Sequence, residues 1–212
     1  MVRIVRADAE GALAEAVAVL KGGGLVAYPS DTVYGLGAAG SDQRAVERVF
    51  AVKDRDTEKA LSLLLADAAD LAPLCSEVPF LARVLAERYW PGPLTLVLRR
   101  SPDFPSAALG GGDTVAVRVP DHPFLRELIR ALGEPITGTS ANRSGQPACR
   151  SAQQVEQELG DAVDLIIDGG PSGAGSESTV VSLTGSLPTV LREGVIPRAD
   201  VERLGRTGMA TA

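Results

Sequence analysis

An α/β fold is predicted for this chain, and three observations predict it. Short apolar runs recur between segments of helical spacing, so strands alternate with helices through most of the sequence. Near the end, two strand-like runs follow one another with no helix between them. At 212 residues, 45% hydrophobic and 23% charged, the chain has the size and composition of one globular domain. Together these give a twisted mixed sheet flanked by helices, in a single domain over 1–212.

The elements follow in order. Residues 8–21 read as a helix capped by Asp8, with Leu13, Val17 and Leu20 on one face, ended by Gly22-Gly23-Gly24. Leu25 to Tyr28 is a short apolar strand, and Pro29 stops it because proline cannot donate to a sheet ladder. Ser30, Asp31 and Thr32 follow, then Gly35 and Gly37. A sharp turn of side-chain oxygens and glycines past a strand end suits a ligand cleft.

Ser41 or Asp42 caps a second helix with Val46, Val49 and Phe50 inward, and Leu61 to Leu65 is a buried strand. A helix over 79–89 begins at Pro79, and Trp90-Pro-Gly-Pro93 breaks it before the strand Leu94 to Leu98. Residues 101–113 form a loop. Thr114 to Val119 alternates as a strand, a helix covers 123–132, and a strand lies near 135–139. A helix near 151–159 and the strand Leu165 to Ile167 precede the glycine-rich segment 169–176. Thr179 to Leu183 and Thr189 to Arg192 can pair as a hairpin, and a short helix closes the chain near 198–204.

The formal net charge of −6 excludes a polyanion binder as a whole, so any phosphate site must be a local basic patch. Cys75 and Cys149 lack metal-type spacing, and His122 is the single histidine, which excludes the usual zinc clusters and leaves no metal ligands to assign. Two distant cysteines fit a reducing compartment. The N-terminus lacks an apolar segment of signal-peptide length, and no run approaches a membrane span, so a cytoplasmic protein is expected.

Charge placement points to chemistry. The chain has three lysines, and Lys53 and Lys59 bracket Arg55 in what reads as an exposed loop. Interleaved Asp54, Asp56 and Glu58 also allow a plain solvated run. In the alternating strand, Val115, Val117 and Val119 share one face, and Thr114, Ala116 and Arg118 share the other. An interior-strand arginine is either salt-bridged or presented to an anion, because its planar fork suits carboxylate and phosphate. Arg192 ends another strand and can face the same cleft. Thr137-Gly-Thr-Ser-Ala-Asn142 is a second strand-end cluster of hydroxyls and an amide. It lacks the closing glycine of a nucleophile elbow, and neither the Walker loop nor the Rossmann fingerprint occurs.

These pieces together resemble a known family. YPSDTVYGLG at 28–37, Lys53-Asp-Arg55 with Lys59, WPGPLTLVL at 90–98, VAVRVP at 115–120, TSANRSG at 139–145, STVV at 178–181 and LREG at 191–194 occur in the order of the YrdC/TsaC family. The resemblance runs over nearly the whole chain. It implies a YrdC-like twisted sheet with a concave basic face. It also implies a threonylcarbamoyl-AMP synthase that joins L-threonine, bicarbonate and ATP and releases pyrophosphate, for threonylcarbamoyladenosine modification of tRNA. Some members carry an extra C-terminal domain; this chain ends before one would begin, so the single-domain form is expected.

By position, the resemblance implies that Thr32, Arg118, Gly138 and Ser178 hold L-threonine. Arg55, Lys59, Ser140 and Arg192 would hold ATP, with Thr114 and Asn142 nearby and Lys53 adding charge. The sequence departs from the family at Ser30, often threonine, at Ala60, often proline, and at Leu64, near which histidine is common. Magnesium would accompany the ATP, held largely by phosphate oxygens and water. No nucleophile or acid–base residue is assigned; Asp31 is a candidate base. Downstream transferase proteins that modify tRNA would consume the product, and direct tRNA contact stays open. If Ser178 touches threonine, segment 169–176, with four glycines in eight residues, lies at the cleft mouth and could close as a lid. A non-catalytic RNA-binding module and a carbamoyl-transfer module of a maturation enzyme are the alternative readings.

Overall fold

A computed structural model describes residues 2–56, 60–104, 112–173 and 175–209. Among them, ten strands form one mixed sheet: β1 (Arg3–Arg6), β2 (Val26–Tyr28), β3 (Gly35–Gly37), β4 (Ser62–Leu64), β5 (Leu94–Arg99), β6 (Thr114–Arg118), β7 (Ile136–Ser140), β8 (Leu165–Asp168), β9 (Thr179–Ser182) and β10 (Thr189–Arg192). Their spatial order is β1-β8-β2-β3-β7-β4-β6-β5-β9-β10, which mixes parallel and antiparallel neighbours. Six helices accompany them: α1 (Ala12–Lys21), α2 (Gln43–Lys53), α3 (Phe80–Tyr89), α4 (Pro123–Leu132), α5 (Ala152–Leu159) and α6 (Arg198–Met209). The expected α/β sheet and the β9–β10 hairpin are present, the latter with an irregular register between Val190 and Arg192.

Two strands escape the sequence reading. β1 is an edge strand whose side chains are mostly exposed, so it shows no alternation of buried and polar residues. β3 is Gly-Leu-Gly, poor in strand-forming side chains, yet it joins β2 to β7 through antiparallel pairs on both sides. Its glycines are steric necessities. A Cβ on Gly35 would lie 2.3 Å from Tyr28 Cε2, because the Tyr28 ring lies across the strand. Two other details differ. Asp8 pairs with Arg6 instead of capping α1, which starts at Ala12 after Gly11 and has no side-chain cap. Asp42 does cap α2, accepting from Ala45 N at 3.0 Å.

Apolar residues pack on both faces. On one face, α2, α3 and α5 bury Val46, Leu85 and Val155 against Leu63, Leu96, Val117 and Ile166. On the other, α1 and α4 bury Leu20, Leu128 and Ile129 against Val26, Tyr28, Leu165 and Ile167. α1 and α4 leave strands β6, β5 and β9 uncovered on that second face. The bare stretch is where the site lies. No helix among the described residues is long and apolar enough to cross a membrane.

Candidate functional site

Strand periodicity builds the floor of the cleft. In β6, Val115 and Val117 enter the core, so Thr114, Ala116 and Arg118 project from the opposite face. β5 does the same, with Leu94, Leu96 and Leu98 in the core and Thr95 and Val97 facing out. Ser62 and Leu64 of β4, Gly138 and Ser140 of β7 and Val180 of β9 extend this floor into a cleft of about 1170 Å³.

Arg118 anchors one end. Its Nε donates to Gly92 O at 2.9 Å, Nη1 to Thr32 Oγ1 at 3.1 Å, and Nη2 to Asp31 Oδ1 at 2.6 Å. The ion pair is buried, with side-chain exposures of 9% for Arg118 and 15% for Asp31. Burial pulls the guanidinium pKa down, and the Asp31 carboxylate opposes that pull. The Trp90-Pro-Gly-Pro93 segment therefore does more than break a helix. Trp90 Nε1 donates to Leu94 O, and Gly92 N donates to Val119 O, which fixes the carbonyl that orients Arg118.

Thr32 is buried beside Ser30, whose Oγ lies 3.0 Å from Thr32 Oγ1 and accepts from Thr32 N. Ser30 Oγ donates to Val33 O, so serine serves this turn. Ser178 Oγ lies 2.8 Å from Thr95 Oγ1. At Gly138, a Cβ would come within 2.7 Å of Leu64 Cγ and 3.1 Å of Ser62 Oγ, so glycine keeps this part of the floor open. The structure thus brings Thr32, Arg118, Gly138 and Ser178 to one cleft, with Leu64 in its wall.

The other end is cationic. Arg55, Thr114, Ser140, Asn142 and Arg192 all line the same cleft; Lys59 lies outside the described residues. Arg55 Nη2 donates to Ala60 O at 3.0 Å, and its pKa is lowered by burial and then by the nearby Arg192 charge. Lys53 corrects one expectation. It ends α2 and is 2% exposed, so it does not belong to an exposed loop. Its Nζ donates to Ser140 O at 2.5 Å and Asn142 O at 2.6 Å, pinning the turn after β7. Burial, followed by repulsion from Arg55, pushes its pKa down to about 8.

Asn142 is fixed in orientation. Its Nδ2 donates to Arg143 O at 2.9 Å and to Gln146 O at 2.7 Å. Its Oδ1 is buried with no hydrogen-bond partner among the described residues. An unpaired buried acceptor costs about 1–3 kcal/mol, which a ligand donor would recover.

Arg192 links the two ends. Nε and Nη2 donate to Ser178 O at 3.2 and 3.0 Å, Nη2 reaches Ser178 Oγ at 3.3 Å, and Nη1 pairs with Glu177 Oε2 at 2.7 Å. Glu177 is a site residue that sequence reasoning missed. The only available signal was its place directly before Ser178, and an isolated loop carboxylate carries no periodicity. The segment after β8 is fastened beside this region. Tyr34 Oη donates to Gly170 O at 2.8 Å, and Gly175 N donates to Thr32 O at 3.1 Å.

Comparisons with known proteins bear on this geometry. A family model, Sua5/YciO/YrdC, described as telomere recombination, matches residues 18–194. Threonylcarbamoyl-AMP synthase of Pyrococcus abyssi is 43% identical over 189 residues, 89% of this chain and 56% of that protein. The protein of that name in Vibrio cholerae is 42% identical over 170 residues, 79% of this chain and 90% of its own length. A crystal structure of P. abyssi Sua5 complexed with L-threonine superposes with a TM-score of 0.90 at 41% identity, covering 96% of this chain and 60% of that one. The chain spans about half the length of the P. abyssi relative.

Proposed function

The chain belongs to the Sua5/YciO/YrdC family, and from that premise we propose that it is an L-threonylcarbamoyladenylate synthase. It would consume L-threonine, bicarbonate and ATP in the cytoplasm and release pyrophosphate. The observation that carries the reading is one continuous cleft with two chemically distinct ends. A buried arginine with hydroxyls at one end suits an amino acid, and a cationic end carrying an orphaned acceptor suits a nucleotide. The relatives named threonylcarbamoyl-AMP synthase and the threonine complex of P. abyssi Sua5 support it.

The reaction divides between the ends. Arg118 binds the threonine carboxylate through guanidinium hydrogens beyond those given to Gly92, Thr32 and Asp31. The threonine nitrogen and bicarbonate form a carbamate with loss of water. A carbamate oxygen then attacks the α-phosphorus, and the bond to the β-phosphate oxygen breaks, so pyrophosphate leaves with the electron pair. Arg55 and Arg192 neutralise charge on the phosphates, and the Lys53-pinned turn presents Ser140 and Asn142 to the nucleoside. Such catalysis rests on positioning and preorganised charge, and it needs no protein nucleophile.

Magnesium is proposed to arrive with the ATP. The donor set at the phosphate end is mainly cationic, so phosphate oxygens and water would hold the ion, with Glu177 the nearest carboxylate to Arg192. The ion would supply charge neutralisation on the departing pyrophosphate. Transferases that modify tRNA are the proposed consumers of the adenylate. ATP–pyrophosphate exchange tests the assignment: exchange that requires both threonine and bicarbonate supports it, and ATP binding without any exchange would leave only a binding module.

A further inference from the structure

The cationic end of the cleft contains an anion of its own. Glu177 Oε2 lies 2.7 Å from Arg192 Nη1, and both side chains are partly exposed, at 41% and 45%. Ser178 O and Oγ take Nε and Nη2 of Arg192, so the guanidinium edge through Nη1 is the one Glu177 holds. The Glu177 carboxylate also helps to hold the charges of Lys53 and Arg55, which shows it is within electrostatic reach of both. A carboxylate beside the two arginines proposed for phosphate resembles the ligand it faces.

We propose that Glu177 is an internal competitor for the nucleotide's phosphates, holding Arg192 until a polyphosphate takes its place. This rests on the nucleotide reading of the cleft. The exchange is easy because a half-exposed ion pair is weak, and a polyphosphate brings more charge than one carboxylate. Arg192 keeps its bonds to Ser178 while Nη1 changes partner, so the exchange occurs one residue away from the amino-acid end.

Glu177→Gln keeps the side-chain shape and removes the charge. Titration calorimetry should then show ATP binding about fivefold tighter than in the unsubstituted chain, equivalent to about 1 kcal/mol. Inorganic tripolyphosphate, which has no nucleoside, should show the same gain, in magnesium-free and magnesium-containing buffer alike. The gain should largely disappear in the Arg192→Ala background, because it acts through that guanidinium. A purely structural role for Glu177 would not tighten binding. Unchanged or weaker polyphosphate binding by Glu177→Gln would overturn the proposal, as would a gain of full size in Arg192→Ala. If the unsubstituted chain binds tripolyphosphate but not ATP, the synthase reading fails, and the tripolyphosphate comparison still decides the role of Glu177.

Discussion

Replacing Arg118 by lysine keeps one positive charge and removes the fork, so it isolates what the guanidinium does. Arg118 serves three acceptors in three directions: Gly92 O, Thr32 Oγ1 and Asp31 Oδ1. A lysine ammonium at the end of a flexible stem can keep Asp31 and must give up the Gly92 carbonyl and one hydroxyl contact. The buried Gly92 carbonyl left unsatisfied costs about 1–3 kcal/mol, and Thr32 Oγ1, which keeps Ser30 Oγ, loses a bond worth about 0.5–1.5 kcal/mol, so stability should fall by about 1.5–4.5 kcal/mol. For a chain of this size, at about 2–4 °C per kcal/mol, that lowers Tm by about 3–18 °C. Losing a charge-assisted bond to the threonine carboxylate should weaken threonine binding by about 1.5–3 kcal/mol, or roughly 10–150-fold. Scanning calorimetry and threonine titration at a temperature well below both melting points separate the two effects. Arg118→Lys with unchanged Tm and unchanged threonine affinity would refute the assignment of Arg118 as both strut and anchor. Asp31→Asn is the companion variant: it removes the buried countercharge without shortening the side chain, and it should destabilise the chain while Arg118 keeps its threonine contact.

Three further outcomes follow from the geometry. Gly138→Ala places a Cβ 2.7 Å from Leu64 Cγ, and crowding of that kind costs about 1–3 kcal/mol, so the threonine KM should rise about tenfold or more while ATP affinity stays level; an unchanged threonine KM would show that the amino acid does not approach this part of the floor. Lys53, with its pKa lowered to about 8, is charged below that pH and loses its proton above it, so ATP affinity should decline between pH 7 and pH 9.5. Unfolded lysine keeps its proton to about pH 10.4, so between about pH 8 and that value the unfolded chain binds more protons and the Lys53 contribution to stability rises with pH. Calorimetric titration across that range checks the affinity, and a flat profile would contradict it. Finally, Tyr34→Phe removes the hydroxyl that donates to Gly170 O and accepts from Gly169 N, so amide exchange over 169–173 should speed up. ATP and threonine together should slow exchange there in the unsubstituted chain, and equal rates with and without both ligands would argue against a lid.

Legibility in the sequence depended on which physical signal each residue carries. The period-2 alternation of Thr114 to Val119 was enough to place Arg118 on the face opposite the core valines, and the structure puts it there. Helix α4 was equally plain, with Leu125, Leu128, Ile129 and Leu132 buried on one side. β3 was hidden because its requirement for glycine comes from the Tyr28 ring, a contact with another strand that leaves no local pattern. Lys53 was misplaced by composition. A lysine before Asp-Arg-Asp looks solvated, yet the helix carries it beneath the turn after β7, where two carbonyls 87 and 89 residues away accept from it. Glu177 was invisible for the same reason: its significance is the arginine it faces, which reaches it from β10. Pairwise meaning of this kind appears only when strands distant in sequence are brought together.

On the proposed reading, one cleft joins threonine, bicarbonate and ATP. The decisive test is to incubate the chain with ATP, L-threonine and carbon-labelled bicarbonate and then to separate the nucleotides. A labelled adenylate should form with equimolar pyrophosphate, require threonine, and be lost or sharply reduced in Arg118→Lys and in Arg55→Ala. ATP turnover or binding with no label entering any nucleotide would contradict it.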